Sequence, residues 1–169
     1  MSLAIIFGST TGYTEELAYK IYDAFEGRAE LPRDVHSTPV SRLLEYRTLI
    51  LGVPTWNHGQ LQSDWAERSE ELKGESFFGR KVAFFGSGDA KRYPEHFQDA
   101  MGLLWKRFED CGAELIGKWP TESYKFEESQ GLVDEGSHFV GLAFERHDSD
   151  EVIEQRIKDW VRQLIQEIG

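Results

Sequence analysis

The sequence predicts an α/β domain in which a doubly wound, five-stranded parallel sheet carries helices on both faces. Short apolar runs alternate with amphipathic stretches along most of the chain, and several of these runs stop at a glycine or a proline. Strands that alternate with helices form parallel sheets joined by right-handed crossovers. A length of 169 residues suits one such domain, which we expect to span residues 1–169 without a linker or an internal repeat.

The individual elements follow from the spacing of apolar residues. Continuous apolar runs predict buried strands, which are expected at residues 3–8, 48–53 and 81–86, with a weaker strand around residues 29–36. Apolar residues at helical spacing predict helices at residues 13–25, at residues 62–73, after Phe97 and from Ile153 to Ile168. The stretch at residues 114–119 predicts a further strand.

One segment breaks the alternation of strands and helices. Residues 120–138 are polar, rich in Gly, Ser and Glu, and without clear periodicity. A second strand-like run follows at residues 139–144. We interpret residues 120–138 as an insertion that splits the fifth strand.

Composition and charge exclude several classes of protein. The formal charge is 19 − 30 = −11, which argues against binding of nucleic-acid backbones. Cys111 is the only cysteine, so an intramolecular disulfide and a metal centre held by several thiolates are excluded, and no metal site is expected. Because no apolar run reaches the length of a membrane span and the first residues do not resemble a signal peptide, we expect a cytoplasmic protein without membrane association.

The predicted topology says where a ligand site lies. In doubly wound sheets, ligands bind outside the carboxyl ends of the strands, where the strand order switches. The loops to inspect are therefore those after Gly8, Val53 and Gly86.

The first of these loops suits one phosphate group. Residues 9–14 offer four Ser or Thr hydroxyls and Gly12 just before a helix N-terminus, whose amides and dipole attract anions. A nucleotide triphosphate loop needs a lysine after this glycine, and Tyr13 stands there instead. A dinucleotide fingerprint fails because the second glycine is missing. A nest for a phosphate monoester remains, beside the simpler alternative of a Ser/Thr helix cap.

The second and third loops each supply an aromatic side chain. Trp56 lies among turn-forming residues after the second buried strand, and Tyr93 follows the glycines of the third loop. Taken singly, Trp56 also suits packing on a neighbouring helix, and Tyr93 suits an exposed loop. A phosphate nest and two aromatic residues at neighbouring strand ends together indicate a flat, phosphorylated ligand.

These loops and their surroundings resemble the flavodoxin family, and the resemblance covers essentially the whole chain. The matching stretches are GSTTGYTE at residues 8–15, PTWN at 54–57 with Asp64-Trp65, FGSGD at 85–89 with Tyr93 and FQDA at 97–100, and FVGLA at 139–143. The insertion at residues 120–138 resembles that of the long-chain subgroup. The resemblance implies the strand order 2-1-3-4-5 and a non-covalently bound FMN.

The resemblance also implies a role for each site residue. The FMN phosphate would be held by Ser9, Thr10, Thr11, Gly12, Tyr13 and Thr14. The second loop would contribute Pro54 and Thr55, Trp56 against the isoalloxazine ring, and the backbone of Asn57, His58 and Gly59 near flavin N5. The other side would be formed by Tyr93 against the ring, with Ser87, Gly88, Asp89 and, less directly, Gln98 at the pyrimidine edge.

A flavodoxin is expected to be a low-potential one-electron carrier without a substrate or catalytic residues of its own. Neither the phosphate loop nor the Trp56 loop contains Lys or Arg. No cation in these loops would therefore stabilise the negative charge that the flavin gains on reduction, which lowers its reduction potential. Lys91 and Arg92 add positive charge before Tyr93 and would moderate this effect or select an acidic partner. For His58, an exposed imidazole without effect on the flavin and a charge near flavin N5 are both open interpretations.

The implied partners are redox proteins such as flavin-dependent NADP reductases and pyruvate oxidoreductases. The predicted helix at residues 62–73 carries four acidic residues, which form either a solvated helix face or a docking surface for basic partners: Asp64, Glu67, Glu70 and Glu71. A monomer is expected for a docking carrier.

The main alternative is an FMN-dependent quinone reductase on the same fold, although aromatic residues on both faces of the flavin would obstruct its substrate. A phosphate-accepting signalling domain would need an aspartate at the end of the third strand, where the chain has Gly52-Val53-Pro54.

Overall fold

The computed structural model describes residues 2–56 and 58–169. Its strands are β1 (Leu3–Phe7), β2 (Arg33–Asp34), β3 (Thr48–Trp56), β4 (Gln60–Leu61), β5 (Lys81–Gly88), β6 (Glu114–Leu115), β7 (Trp119–Pro120), β8 (Leu132–Val133), β9 (His138–Phe139) and β10 (Leu142–Glu145). Its α-helices are α1 (Tyr13–Ala24), α2 (Val40–Leu43), α3 (Ser63–Glu71), α4 (Asp99–Asp110) and α5 (Asp150–Ile168).

The main sheet has the predicted doubly wound topology. Its strands lie in the order β10-β5-β3-β1-β2, and each neighbouring pair along this path is parallel. In the order of the five predicted strands this is 2-1-3-4-5, so the predicted fold class and strand order are confirmed. The carboxyl ends of β1, β3, β5 and β10 therefore meet at one edge of the sheet.

The fifth strand is split, as predicted, but its two parts are shorter than expected. β6 pairs with the start of β5, and β10 pairs with the end of β5. The prediction of strands over residues 114–119 and 139–144 was wrong at their inner ends, because Trp119 and Phe139 pair with each other in a second, antiparallel sheet. This sheet has the order β7-β9-β8 and is formed by the insertion and its flanks.

Other boundaries also differ from the predictions. The weak strand expected around residues 29–36 is limited to β2, because the Asp34 side chain accepts a hydrogen bond from the His36 amide and starts a short 3₁₀ turn. α4 begins only at Asp99, because Gln98 has a left-handed backbone (φ 61°). α3 and α1 are slightly shorter than the predicted helices.

Two hydrophobic layers enclose the sheet. One layer contains Ile5 and Ile50 together with buried residues of α1 and α5. The other contains Ile6 and Leu51 together with buried residues of α3 and α4. Successive strand residues point to opposite faces, so the continuous apolar runs of β1 and β3 fill both layers. Within the described residues, no helix is both long and apolar enough to cross a membrane.

The insertion is held against the chain just before α4 and against β10 by an aromatic cluster, which consists of Phe97, Tyr124, Phe126 and Phe139. The Tyr124 hydroxyl donates to the Ala143 carbonyl oxygen at 2.6 Å and accepts from Trp119 Nε1 at 3.0 Å. The Arg156 guanidinium lies 4.5 Å from the centroid of the Tyr124 ring. Burial is the largest effect on the Tyr124 hydroxyl and raises its pKa well above the ordinary value.

Replacing Tyr124 by Phe is expected to lower the free energy of unfolding by about 1.5 kcal/mol, because the Ala143 carbonyl and the Trp119 N–H lose their partner. The folded-state pKa of Tyr124 is raised, so its share of stability is present below the ordinary tyrosine pKa of about 10 and is lost as the pH rises above it. Urea unfolding at neutral and at alkaline pH measures both effects. The alkaline loss should shrink in Tyr124→Phe, while Tyr19→Phe, which alters an exposed ring, should change neither value. Equal alkaline losses in wild type and Tyr124→Phe would contradict the expectation.

Candidate functional site

A cavity of about 600 Å³ opens at the carboxyl ends of the central strands, where the topology predicts a ligand site. A volume of this size is typical of pockets for small molecules and cofactors. The cavity is lined by Ser9, Thr10, Thr11, Tyr13, Thr14, Pro54, Thr55, Trp56, Ser87, Gly88, Asp89, Arg92, Tyr93 and Arg146. All three loops singled out in the sequence contribute to it.

The first loop leaves polar groups available at the start of α1. Gly12 precedes the helix with a left-handed backbone (φ 90°), and no side chain caps the helix N-terminus. The Ser9 hydroxyl accepts a hydrogen bond from the Gly12 N–H at 2.9 Å, which closes the turn. Within residues 2–56 and 58–169, the hydroxyls of Thr10, Thr11 and Thr14 make no hydrogen bond. Uncapped amides and open hydroxyls together favour an anion at this end of the cavity.

The aromatic residues of the second and third loops line the same cavity. Trp56 ends β3, and its indole Nε1 is buried without a hydrogen-bond partner among the described residues. The Tyr93 N–H donates to the Asp89 carbonyl oxygen at 2.9 Å, which fixes the turn that carries its ring. The His58 ring meets the Tyr93 ring edge-on, with 5.8 Å between centroids. Trp56 and Tyr93 therefore bring two aromatic residues to one cavity.

Asp89 organises the third loop. Its Oδ1 accepts hydrogen bonds from the Lys91 N–H at 3.2 Å and the Arg92 N–H at 3.1 Å, and lies 3.3 Å from His147 Nε2. Burial alone would raise the pKa of Asp89, but these two amides and the His147 ring outweigh it, so the pKa lies below its usual value. This network joins the Tyr93 loop to the segment after β10.

Asp89 also belongs to a cluster of side chains that are of the kind that bind metal ions. Together with Glu145 and His147 it forms the one group of three metal-ligating side chains found among the described residues. Glu145 already accepts hydrogen bonds from the amides of Ala90 and His147. These bonds give the group a structural role in joining two loops.

Four of the predicted site residues do not line the cavity. Gly12 turns the chain into α1, and His58 is exposed beside Tyr93. Gly59 is buried with φ 86°, and a Cβ there would lie 2.5 Å from Asp99 Oδ2. Gln98 is fully buried behind β5, and its Nε2 donates to the Phe144 carbonyl oxygen at 3.1 Å. Asn57 lies outside the described residues.

Two arginines line the cavity that the sequence did not assign to the cofactor site. Arg92 lies with its guanidinium carbon 5.7 Å from the centroid of the Tyr93 ring. Arg146 follows β10, and its N–H donates to the Gly88 carbonyl oxygen at 2.9 Å. The end of the last strand lies at the same edge of the sheet as the three loops. The rule that ligands bind at strand ends therefore also applies to β10 and points to Arg146.

Three of the four acidic residues predicted on α3 lie within ion-pair distance of basic side chains of the same chain. Asp64 Oδ1 lies 3.2 Å from His36 Nδ1, and Glu71 pairs with Arg68 at 2.6 Å. Glu70 pairs with Lys73 at 2.6 Å and with Arg107 at 3.1 Å. Among the four carboxylates named in the sequence, Glu67 is the one without an ion pair to the described residues.

Comparison with known proteins identifies the family. The family model described as Flavodoxin matches residues 5–160. The chain is 39% identical to the flavodoxin of Synechococcus elongatus over 168 residues, covering 99% of this chain and 98% of that protein. It is also 39% identical to Flavodoxin 1 of Escherichia coli K12 over 164 residues, covering 97% and 93%.

Solved structures agree with the fold. The crystal structure of Fusobacterium nucleatum flavodoxin bound to flavin mononucleotide superposes with a TM-score of 0.91 at 22% identity, covering 98% of each chain. Flavodoxin 1 of Bacillus cereus superposes with a TM-score of 0.74 at 25% identity, covering 100% of each chain. The family match and the similarity of relatives along nearly their full length lead to one conclusion: this chain belongs to the flavodoxin family.

Proposed function

We propose that this protein carries electrons one at a time between redox proteins on a non-covalently bound FMN held in the cavity at the carboxyl ends of the strands. The observation that carries the proposal is the cavity itself, which joins an uncapped helix N-terminus to two aromatic side chains. FMN has a phosphate at one end and a flat ring system at the other. Electron carriage without a substrate is the role of the flavodoxin family.

The cavity residues fit FMN by their chemistry. The amides of the first turn of α1 and the hydroxyls of Thr10, Thr11 and Thr14 would bind the phosphate. Trp56 and Tyr93 would flank the ring and exclude water from it. Ser87, Gly88 and Asp89 would lie along the pyrimidine edge. Gln98 would act from behind β5 by fixing Phe144 rather than by contact.

The bound FMN would supply the redox chemistry, and the chain would set how readily electrons leave. The phosphate loop and Trp56 carry no cation, and the net charge is −11, so added negative charge is unfavourable and the potential is low. Arg92 and Arg146 line the cavity and oppose part of this effect.

The partners proposed are redox enzymes such as flavin-dependent NADP reductases and pyruvate oxidoreductases. The protein would meet them as a monomer in the cytoplasm. Docking through α3 would rest mainly on Glu67, because the other three carboxylates are already paired within the chain.

Electron carriage is tested by reducing the protein and mixing it with an oxidised one-electron acceptor such as cytochrome c. The proposal predicts that each fully reduced protein delivers two electrons to two cytochrome c molecules. It also predicts that NADPH reduces the protein only when a separate reductase is present. Steady turnover of a quinone with NADPH alone would identify the enzyme alternative instead.

Docking through Glu67 makes a separate prediction. Replacing Glu67 by Gln is expected to slow electron transfer to a basic cytochrome c by about twofold at low ionic strength, because one attractive charge is lost. The difference should disappear at high salt. Stopped-flow rates measure it, with Glu154→Gln on the exposed face of α5 as the control for net charge. Equal slowing by both substitutions would mean that α3 is not the docking surface.

A further inference from the structure

Arg146 places a cation at the cavity from the end of β10. Its backbone is fixed by the hydrogen bond from its N–H to the Gly88 carbonyl oxygen at the end of β5. Arg146 lines the same cavity as Ser9, Thr10 and Tyr13. Burial, Asp148 and Glu16 raise the pKa of Tyr13 and Arg146 lowers it, in agreement with the cavity that Tyr13 and Arg146 both line.

The surroundings of Arg146 are otherwise acidic. The first turn of α1 carries Glu15 and Glu16, and the first turn of α5 carries Asp150 and Glu151. Asp148 is engaged by the Arg156 guanidinium and by the Glu145 N–H. A phosphate dianion at the start of α1 would therefore be repelled by nearby carboxylates, while the loop that holds it contains no cation.

Arg146 is available to offset this repulsion. Within residues 2–56 and 58–169, its guanidinium makes no ion pair and no hydrogen bond. A guanidinium presents a planar fork of donors that matches phosphate oxygens. Arg92 lines the cavity from the Tyr93 loop, where its guanidinium lies over the Tyr93 ring. The two arginines thus serve different walls of the cavity.

We infer that Arg146 is a counter-charge of the FMN phosphate and strengthens the preference of this protein for FMN over riboflavin. This inference rests on the proposed binding of FMN. It assigns a residue after the last strand to the phosphate end of the cofactor, in addition to the amides and hydroxyls of the first loop. Riboflavin lacks only the phosphate, so the role of Arg146 is visible as a difference between the two ligands.

The test is the dissociation constant of the apoprotein for FMN and for riboflavin, measured by quenching of flavin fluorescence at low and high salt. Arg146→Gln is expected to weaken FMN binding by about fivefold at low salt and to leave riboflavin binding unchanged. The FMN effect should shrink at high salt, because the charges are exposed to solvent. Arg146→Lys should retain part of the FMN affinity, since it keeps the charge but not the planar fork.

Two further variants separate local from general effects. Arg162→Gln removes an exposed arginine of α5 that pairs with Asp159, and should leave both affinities unchanged. Arg92→Gln removes a cation from the Tyr93 wall and should affect both ligands by the same factor. Thermal unfolding of each apoprotein shows whether a variant is folded.

The outcomes are distinct. If wild type binds FMN and Arg146→Gln changes neither ligand, or weakens both equally, the inference about Arg146 is wrong while the proposed function stands. If Arg162→Gln weakens FMN as much as Arg146→Gln, the effect belongs to net charge and the inference again fails. If wild type binds neither flavin, the proposed function itself fails.

Discussion

Replacing Trp56 by Ala is expected to weaken FMN binding about 30-fold, the equivalent of roughly 2 kcal/mol for one lost stacking surface. Trp56 lines the cavity at the end of β3, and its buried Nε1 has no partner among the described residues. Removing the indole opens the cavity to water and takes away the ring contact. Riboflavin should be weakened by the same factor, because the ring system is common to both ligands.

Trp56→Phe tests the ring contact itself. Phenylalanine keeps an aromatic surface, so most of the affinity should return. Fluorescence titration of the apoproteins measures all three affinities. Unchanged FMN binding in Trp56→Ala would show that the ring lies elsewhere.

Replacing Gly102 by Ala is expected to lower the free energy of unfolding by about 3 kcal/mol, although alanine is the better helix former by about 1 kcal/mol. Gly102 lies within α4, and a Cβ there would lie 1.9 Å from the Gln130 carbonyl oxygen and 2.6 Å from its carbon. The insertion must therefore move away from α4. The movement would strain the hydrogen bond from the Gln130 N–H to Asp99 Oδ1, which is 2.7 Å long.

The same substitution should reach the cavity. The N–H groups of Glu127 and Glu128 donate to the Pro94 carbonyl oxygen at 2.8 and 3.0 Å, which ties the insertion to the residue after Tyr93. We expect Gly102→Ala to weaken FMN binding as well as stability. Urea unfolding of Gly102→Ala and of the exposed control Lys106→Ala tests the packing argument. A Gly102→Ala protein more stable than wild type, as helix propensity alone requires, would contradict it.

The central fold was predictable because its strongest signals are local. The runs that form β1, β3 and β5 are apolar on both faces, which is typical of a parallel sheet covered by helices. The boundaries of the weaker strands were not predictable, because they depend on pairing between distant residues. Trp119 and Phe139 look like strand residues in the sequence, and they are, but in a different sheet. Gly141 lies too close to the Phe84 carbonyl oxygen for any side chain, and such a contact has no signature in the sequence.

The candidate site was predictable where a single loop contains all the residues for one contact with the ligand. The phosphate loop and Trp56 fall at strand ends that the sequence marks with glycine and proline. The position of Gln98 was not predictable from the sequence. Its backbone is left-handed, and its side chain lies behind β5 and donates to the Phe144 carbonyl oxygen. Arg146 was not predicted, because ligand loops were expected only after Gly8, Val53 and Gly86, and the split of the fifth strand obscures that β10 ends at the same edge.

Binding of FMN in the cavity is tested most directly by titrating the apoprotein with FMN while flavin fluorescence and visible absorbance are recorded. We expect quenched fluorescence, perturbed flavin absorbance and saturation at one FMN per chain. A protein that leaves flavin fluorescence unchanged at every FMN concentration would contradict it.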